Sequence, residues 1–445
     1  MSGRQARRPA PNDGERTERA VQKIWLKAYP PGVPEHIDPG RWASLVAMWD
    51  AAVREHAARP AFANFGSRMS YAELDRAARG FAAWLQQQCR LEPGERVALM
   101  MPNMLAYPVA LLGTLRAGGV VVNTNPQYTA PELRHQLADS GARVLVAFTQ
   151  VLPTFAAIRD ETPIEHVVEA RLGDFMRWPR SFLIDHLARK RARAPGPAPA
   201  LPDATPMLAT VGDDRCRTPP LGGDDLAFLQ YTGGTTGRAR GAMLTHGNVV
   251  ANVLQVMAWF GEHALPGREV VITALPLYHI YALTGNCLAF LAQGGLNCLI
   301  TDPRDIKGLV RAMRRVRFTT MTGVNTLFNA LLREPGFAEL DFSALKFSSA
   351  GGMAVQRAVA ERWHAVTGCV LAEGYGLTEA SPVVAINRFD LETFTGCIGL
   401  PVPSTECKIV DEDGRELPIG QRGELCVRGP QVMRGYWNAP EETRQ

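Results

Sequence analysis

Short, mostly apolar runs separated by amphipathic stretches recur from about residue 60 onward, and this alternation restricts the chain to a narrow set of folds. The runs 96–101, 120–123, 144–148, 270–274, 296–300, 318–322, 345–349 and 370–372 have the length and continuity of strands buried on both faces. Between them lie helical patterns. Ser70 and Glu73 form a capping box for a helix whose Leu74, Ala77, Phe81 and Leu85 share one face. Thr129 and Glu132, with Pro131, form a second box, and the stretches 303–316 and 354–366 continue the series. Strand–helix–strand order of this kind specifies parallel sheets with helices on both faces.

The resulting expectation is an α/β chain of two helix-covered, largely parallel subdomains, 23–187 and 224–394. A polar, basic extension, 1–22, precedes them. A Pro/Arg/Gly-rich connection without periodicity, 188–223, is expected to run over the surface and to be partly disordered. After about residue 395, short β segments at 405–410 and 424–427, joined by Asp413-Gly414 and Gly420-Gln421, predict a small antiparallel or barrel unit, the start of a distorted β-barrel. Two charge-poor stretches, 97–115 and 270–301, are long enough to cross a bilayer. Pro102, Asn103 and Pro108 break the first. The second carries Pro276, His279, Asn286, Gln293 and Gly294-Gly295, and reads as strand, helix, strand.

Composition excludes several classes. With 445 residues and 46% of them hydrophobic, the chain can bury a large core. A net charge of +4 gives no support for nucleic-acid binding, although Arg189, Lys190, Arg191 and Arg193 are locally basic. Its eight cysteines show neither a Cys-x-x-Cys pair nor a disulfide framework, which suits reduced thiols in a cytoplasmic setting. The first twenty residues lack the apolar core of a secretory signal.

Chemistry concentrates in two motifs. In Tyr231-Thr232-Gly233-Gly234-Thr235-Thr236-Gly237-Arg238-Ala239-Arg240-Gly241, glycines admit backbone N–H groups to phosphate oxygens, hydroxyls reach phosphate or metal, and cations neutralise charge. The run is expected at a strand-to-helix junction, with the helix entered near Thr245. It is not a Walker A loop, because the glycine spacing is too short and Arg238 follows Gly237. The second motif, Glu373-Gly374-Tyr375-Gly376-Leu377-Thr378-Glu379, follows a predicted strand, where a parallel sheet places its ligands. Tyr375 could stack on a base, Thr378 could bond a phosphate oxygen, and Glu379 could hold Mg²⁺ or simply cap a turn.

Together these motifs resemble the phosphate loop and the adenine/Mg²⁺ motif of the AMP-forming acyl-CoA synthetases, within the adenylate-forming superfamily. The resemblance extends through 274–280, 322–328, Ser349-Ala350-Gly351-Gly352-Met353, Gly399-Leu400-Pro401, Gly423-Glu424-Leu425 and Gly435-Tyr436-Trp437, and is closest to bacterial long-chain fatty acid–CoA ligases. It implies ATP, Mg²⁺ and CoA as reactants, and a long-chain fatty acid as substrate. Thr232, Thr235 and Thr236 would contact phosphates or metal, with Gly233, Gly234, Gly237, Arg238 and Gly241 shaping the loop and Tyr231 and Arg240 flanking it. Gly351, Gly352, Glu373, Gly374, Tyr375 and Gly376 would line the adenine pocket, Thr378 would meet the α-phosphate, and Glu379 with Thr232 would hold the metal. His279 would sit near the α-phosphate and acyl carboxylate; Tyr281, Gly323, Val324 and Ala350 would open the acyl tunnel.

Arg240 stands where such loops usually have lysine, and a planar fork is not a compact ammonium. The sequence stops shortly before the family would supply a ribose-binding aspartate, a hinge and a mobile C-terminal domain. The expectation is therefore most of an ATP and acyl pocket without the complete catalyst. The resemblance also leaves room for a homodimer and for peripheral contact with the inner membrane. A medium-chain or aryl acid–CoA ligase and a non-catalytic fatty acid or nucleotide binder are the alternatives.

Overall fold

A computed structural model describes residues 21–191, 201–233 and 238–444. Its strands are β1 (Pro60–Asn64), β2 (Ser67–Ser70), β3 (Arg96–Met100), β4 (Val120–Asn123), β5 (Val144–Phe148), β6 (His166–Ala170) and β7 (Thr205–Pro206). These are followed by β8 (Leu226–Thr232), β9 (Arg240–Thr245), β10 (Val270–Thr273), β11 (Leu296–Leu299), β12 (Thr320–Gly323), β13 (Phe347–Ala350) and β14 (Leu371–Gly376). The series ends with β15 (Val383–Ile386), β16 (Leu400–Pro401), β17 (Glu406–Val410) and β18 (Glu424–Arg428). Among the described residues they build a seven-stranded sheet, β7-β6-β5-β3-β4-β8-β9, and a nine-stranded sheet, β16-β15-β14-β13-β12-β10-β11-β1-β2. Both are parallel through their centres and antiparallel only toward their edges.

The helices α1 (Leu45–His56), α2 (Tyr71–Gln87), α3 (Ala106–Arg116), α4 (Ala130–Ser140), α5 (Leu152–Ala156), α6 (Arg180–Arg191) and α7 (His246–Phe260) cover these sheets with others further on. Both expected capping boxes are formed, with Ser70 and Glu73 opening α2 and Thr129 and Glu132 opening α4. On α2, Leu74, Phe81 and Leu85 are buried as their spacing requires, and Ala77 is partly buried. α3 is buried along its whole length between the layers, which explains its lack of a polar face. The two charge-poor stretches resolve into β3 with α3, and into β10, a short helical segment with a π turn, and β11. No helix among the described residues is long and apolar enough to cross a membrane.

Two sequence expectations are corrected and a third is narrowed. The sheets cross the boundary expected near residue 224: β1 and β2 complete the later sheet, while β8 and β9 complete the earlier one. β1 and β2 were hidden because their turn is Phe65-Gly66, at φ 47° and 77°, instead of a familiar Asn-Gly or Asp-Gly pair. The connection after α6 is not wholly loose. β7 pairs with β6, Met207 and Thr210 are buried, and the Gln86 side chain pairs with the Arg217 backbone, all without periodicity to announce it. Finally, 405–428 takes the antiparallel form of the small unit expected there, the two-stranded pair β17-β18 with one further bridge between Val410 and Glu416, and no closed barrel forms among the described residues.

The two sheets are fastened where their strand ends meet. Asn103 Nδ2 donates to the carbonyls of Thr273 (3.0 Å) and Leu275 (2.9 Å), and its Oδ1 accepts from Leu277 N (2.8 Å). The Tyr107 hydroxyl lies 2.8 Å from both Asn123 Oδ1 and the Leu277 carbonyl, sharing one proton. Asn123 donates to Gln230 Oε1 (3.0 Å), and Gln230 Nε2 donates to the Tyr278 carbonyl (2.8 Å).

Asn103→Ala strands the Leu275 carbonyl and the Leu277 N–H, while the Thr273 carbonyl keeps Ile300 N (3.0 Å), and is expected to cost roughly 2–4 kcal/mol. A urea melt checks this: the midpoint should fall while the slope stays constant. A second prediction concerns His246, which is buried and accepts from Leu45 N at its Nδ1 (3.3 Å), with its pKa lowered to about 4 by loss of hydration. The unfolded imidazole titrates near 6.5, so between these values the unfolded state binds more protons and stability rises with pH. Acidification to pH 4 should therefore remove up to about 3 kcal/mol through this group. Melts of His246→Gln, which keeps an acceptor, should show a shallower loss over the same window.

Candidate functional site

The glycine-rich run does not sit at a strand-to-helix junction. It joins β8 to β9, which pair antiparallel from Leu226↔Thr245 to Thr232↔Arg240, and α7 begins only after β9, with Thr245 as its N-cap. The alternation of buried and half-buried residues along β9 is too brief to separate from a helix start by pattern alone. Gly234, Thr235, Thr236 and Gly237 lie outside the described residues. At the loop's described edges Gly233 and Arg238 are exposed, and Thr232 and Arg240 are half-buried.

Tyr231, expected beside a nucleotide, is buried, and its hydroxyl donates to Asp139 (2.5 Å). Burial first, and then that carboxylate, raise its pKa. Its ring also lies 3.2 Å from where a Cβ on Gly241 would stand, so glycine lets β9 pass this side chain.

Residues 434–437 run antiparallel along the free edge of β9. Arg434 N donates to Met243 O (3.0 Å), Met243 N to Gly435 O (2.9 Å), and Trp437 N to Gly241 O (2.7 Å). This places Tyr436 between the hairpin and the second motif. Its hydroxyl donates to Glu379 Oε1 (2.6 Å), the Arg240 guanidinium lies 5.9 Å from its ring centre, and Arg240 pairs with Glu442 (3.2 Å). Burial, with the Glu379 carboxylate second, pushes the Tyr436 phenol up to about 12, so it stays a donor at neutral pH. Glu379 and Thr378 occupy a short 3-10 turn packed on β9, with Met433 N bonded to the Glu379 carbonyl (2.7 Å). Hence Thr232, Arg240, Thr378 and Glu379 come together. Sequence reasoning noticed Gly435-Tyr436-Trp437 only as a motif and assigned Tyr436 no role; nothing local to it signals the contact.

A second group gathers at the carboxyl ends of β12, β13 and β14. Gly323 pairs with Ala350, and Ala350 with Glu373. Glu373 is buried, and its carboxylate caps Val355 N (2.8 Å), so it braces the turn after β13. Gly374 and Tyr375 continue β14 toward solvent, Gly376 is exposed, and the Tyr375 ring is free to stack on a flat ligand. Gly351 is buried and Gly352 adopts φ 77°.

Tyr281 crosses this group. Its hydroxyl lies 3.4 Å from the Ser349 carbonyl, its ring packs against Gly351, and burial pushes its phenol up to about 12. His279 caps the same turn, its Nδ1 accepting from Tyr281 N (3.2 Å). Part of its ring reaches solvent, but it lies in a crevice crowded by protein atoms, and the lost hydration lowers its pKa from 6.5, leaving it neutral at pH 7. Ala350 is buried and Val324 half-buried, and Phe328 fills the space beside Gly323, where a Cβ would stand 2.8 Å from its ring. A cleft of about 220 Å³ opens nearby, lined by Asn103, Gln127, Pro276, Tyr278 and Arg304. A larger one, about 1170 Å³, lies against Trp178 and Phe182, outside this constellation.

A Gly/Thr/Arg hairpin and a carboxylate gathered with aromatic and glycine-lined strand ends are the features of an α/β nucleotide-binding enzyme. The chain belongs to the AMP-binding enzyme family, whose model matches residues 49–437. It is 52% identical over 426 residues to the long-chain-fatty-acid–CoA ligase of an Escherichia coli strain, covering 95% of this chain and 76% of that one. The Haemophilus influenzae protein of the same name is 46% identical, with 96% and 76% covered. Among solved structures, ATP-bound MatB from Rhodopseudomonas palustris superposes with a TM-score of 0.74 at 26% identity, covering 90% of this chain and 73% of that one. The anthranilate CoA ligase AuaEII, at 20% identity and a TM-score of 0.80, with 92% and 74% covered, shares the fold.

Gly351→Ala tests the strand-end group. Its methyl would stand 3.2 Å from the Tyr281 ring and 3.4 Å from the Gly374 carbonyl, forcing both to give. Overpacking of this kind costs roughly 1–3 kcal/mol, so a urea melt should show stability falling by that amount, and calorimetry should show weaker nucleotide binding where the displaced Tyr281 and Gly374 line the site.

Proposed function

We propose that this chain activates a long-chain fatty acid, first as an acyl-adenylate and then as an acyl-CoA, with ATP and CoA as co-substrates. The observation that carries the reading is the Glu379–Tyr436–Arg240 chain, which sets one carboxylate and one cation beside a loop built for phosphate. In the first step a carboxylate oxygen of the acid bonds to the α-phosphorus of ATP as the bond to the β-phosphate oxygen breaks, and pyrophosphate leaves. In the second, the CoA sulfur bonds to the acyl carbon, AMP leaves with the C–O electron pair, and the thiol proton passes to solvent.

No general base is required for the first step, because a carboxylic acid of pKa about 4 to 5 is already ionised at neutral pH. The chain's work is then orientation and charge neutralisation. Arg238 and Arg240 supply cations, the loop glycines and threonines supply N–H and O–H donors, and Thr378 donates at the α-phosphate. Neutral His279 approaches the acyl carboxylate without adding charge. Tyr375 stacks on adenine beside Gly351, Gly352, Gly374 and Gly376. The acyl chain enters between Tyr281, Val324 and Ala350.

Mg²⁺ fits the donor set. The ion favours one or two carboxylates completed by substrate phosphates and water over an all-protein cage. Glu379 offers one oxygen while Tyr436 engages the other, Thr232 adds a hydroxyl, and no cluster of three metal-ligating side chains exists among the described residues. When bound, the metal would neutralise phosphate charge. We place the protein in the cytoplasm with peripheral contact to a membrane; pairing into a homodimer is part of the same proposal.

Calorimetry and ATP–pyrophosphate exchange test the reading. Saturable palmitate binding and Mg²⁺-dependent ATP binding are expected, with exchange stimulated more by palmitate than by octanoate or benzoate. Each buried CH₂ contributes about 0.8 kcal/mol, so the preference should be steep. Equal response to octanoate or benzoate would move the assignment to a shorter or aryl acid, and ligand binding without any exchange would leave a binder. Tyr436→Phe should raise the Mg²⁺ concentration for half-maximal ATP binding several-fold, and Glu379→Gln should raise it further.

A further inference from the structure

Helix α6 is apolar on two sides. Ile184 and Ala188 pack toward the core, which a surface helix requires, but Phe182, Leu183 and Leu187 face outward. Trp178, in the turn that leads into α6, is 82% exposed; Phe182 and Leu183 are 64% and 54% exposed. Phe65, at the β1–β2 turn, joins them, because Arg180 donates to the neighbouring Gly66 carbonyl (2.6 Å). Between this turn and residues 175–183 lies the cleft of about 1170 Å³.

Arg177, Arg180, Arg189 and Lys190 frame the apolar face, and Arg68 lines the cleft. Three acids lie within or beside the frame, and each is engaged: Glu73 in its capping box with Ser70, Asp185 on Gly173 N (2.7 Å), and buried Asp174 on Arg171 N (2.7 Å). The face is thus aromatic at its centre and cationic at its margin. A protein partner could match the apolar half, but this pairing of exposed Trp and Phe with surrounding cations suits the headgroup layer of an anionic bilayer, where aromatic rings rest and cations meet phosphate.

Topology adds a second observation. β1 is parallel to β11, and β11, β10, β12, β13 and β14 are parallel in turn, so the Phe65–Gly66 turn and the ends carrying Gly323, Ala350 and Gly374 lie on one rim of one sheet. Three to four strand spacings separate β1 from β12 and β13, roughly 15–20 Å. We propose that Trp178, Phe182, Leu183 and Leu187, with Arg177, Arg180, Arg189 and Lys190, form a docking surface for an anionic lipid bilayer. Docking sets the rim that carries the proposed acyl site close to the membrane, where long-chain acids partition. The purpose of the surface rests on the function proposed above, whereas its chemistry does not.

Flotation with phosphatidylcholine vesicles, with and without phosphatidylglycerol, tests the proposal on the whole chain. Binding is expected to the anionic vesicles at low salt and to be released at high salt. Trp178→Ser/Phe182→Ser should weaken it at least tenfold, and Arg189→Gln/Lys190→Gln about fivefold per charge, with unchanged thermal melts because these side chains are exposed. Nucleotide and octanoate binding should be unaffected, which separates failure here from failure of the proposed reaction. No binding, equal binding to neutral vesicles, or full binding by both variants would overturn the assignment. So would a change from dimer to monomer in sedimentation with vesicle binding intact, since the face would then belong to a second copy.

Discussion

Asn103, Tyr107, Asn123 and Gln230 are polar side chains held between two sheets, and leaving any one of them unpaired there would cost roughly 1–3 kcal/mol. What satisfies them is mostly the backbone of one turn, through the carbonyls of Thr273, Leu275, Leu277 and Tyr278 and the N–H of Leu277. That turn leads directly to His279 and Tyr281. The contact that unites the sheets therefore also aims the site, and a register slip in either sheet would leave buried groups unpaired on both sides.

The same logic governs the hairpin. A glycine- and threonine-rich loop has little apolar surface to anchor it, so its base must be fixed from outside. β8 and β9 pair with each other, 434–437 adds a third strand-like run, and the Tyr231 and Trp437 side chains converge on Asp139 through its carboxylate and carbonyl. Tyr231 therefore holds the base of the hairpin, although its position in the motif suggested contact with a ligand. Glu373 is a parallel case: a carboxylate in a ligand motif that is used to cap Val355 N.

Much of this architecture was legible because it follows from local pattern. Buried parallel strands are uniformly apolar, and β4 and β5 fall where their runs of Val, Ala and Leu place them. Capping boxes are read from four residues. The missed elements depend on distant pairing. β1 and β2 turn at Phe65-Gly66 and join β11, some 230 residues later, a long-range closure that no local pattern reports. β9 is a strand because β8 and 434–437 lie on either side of it. For the site, the two motifs showed which residue types gather, but not that Tyr436, from a third segment, would bind Glu379 between them.

That third segment gives the arrangement a chemical consequence. A lone carboxylate at a protein surface rotates freely, and a divalent ion that keeps most of its waters gains little from a ligand that must first be ordered. Tyr436 bonds one oxygen of Glu379, so that much of the carboxylate's ordering is done as the chain folds. Its high pKa keeps the proton on the phenol across the neutral range, and the bond does not switch with modest changes of pH. Arg240, shared between the Tyr436 ring and Glu442, is held at the same junction, and its planar fork can meet two phosphate oxygens at once where an ammonium would act as a point charge. The substitution of arginine for the lysine usual in such loops is then matched by its surroundings: an aromatic face and a carboxylate are the partners that position a guanidinium.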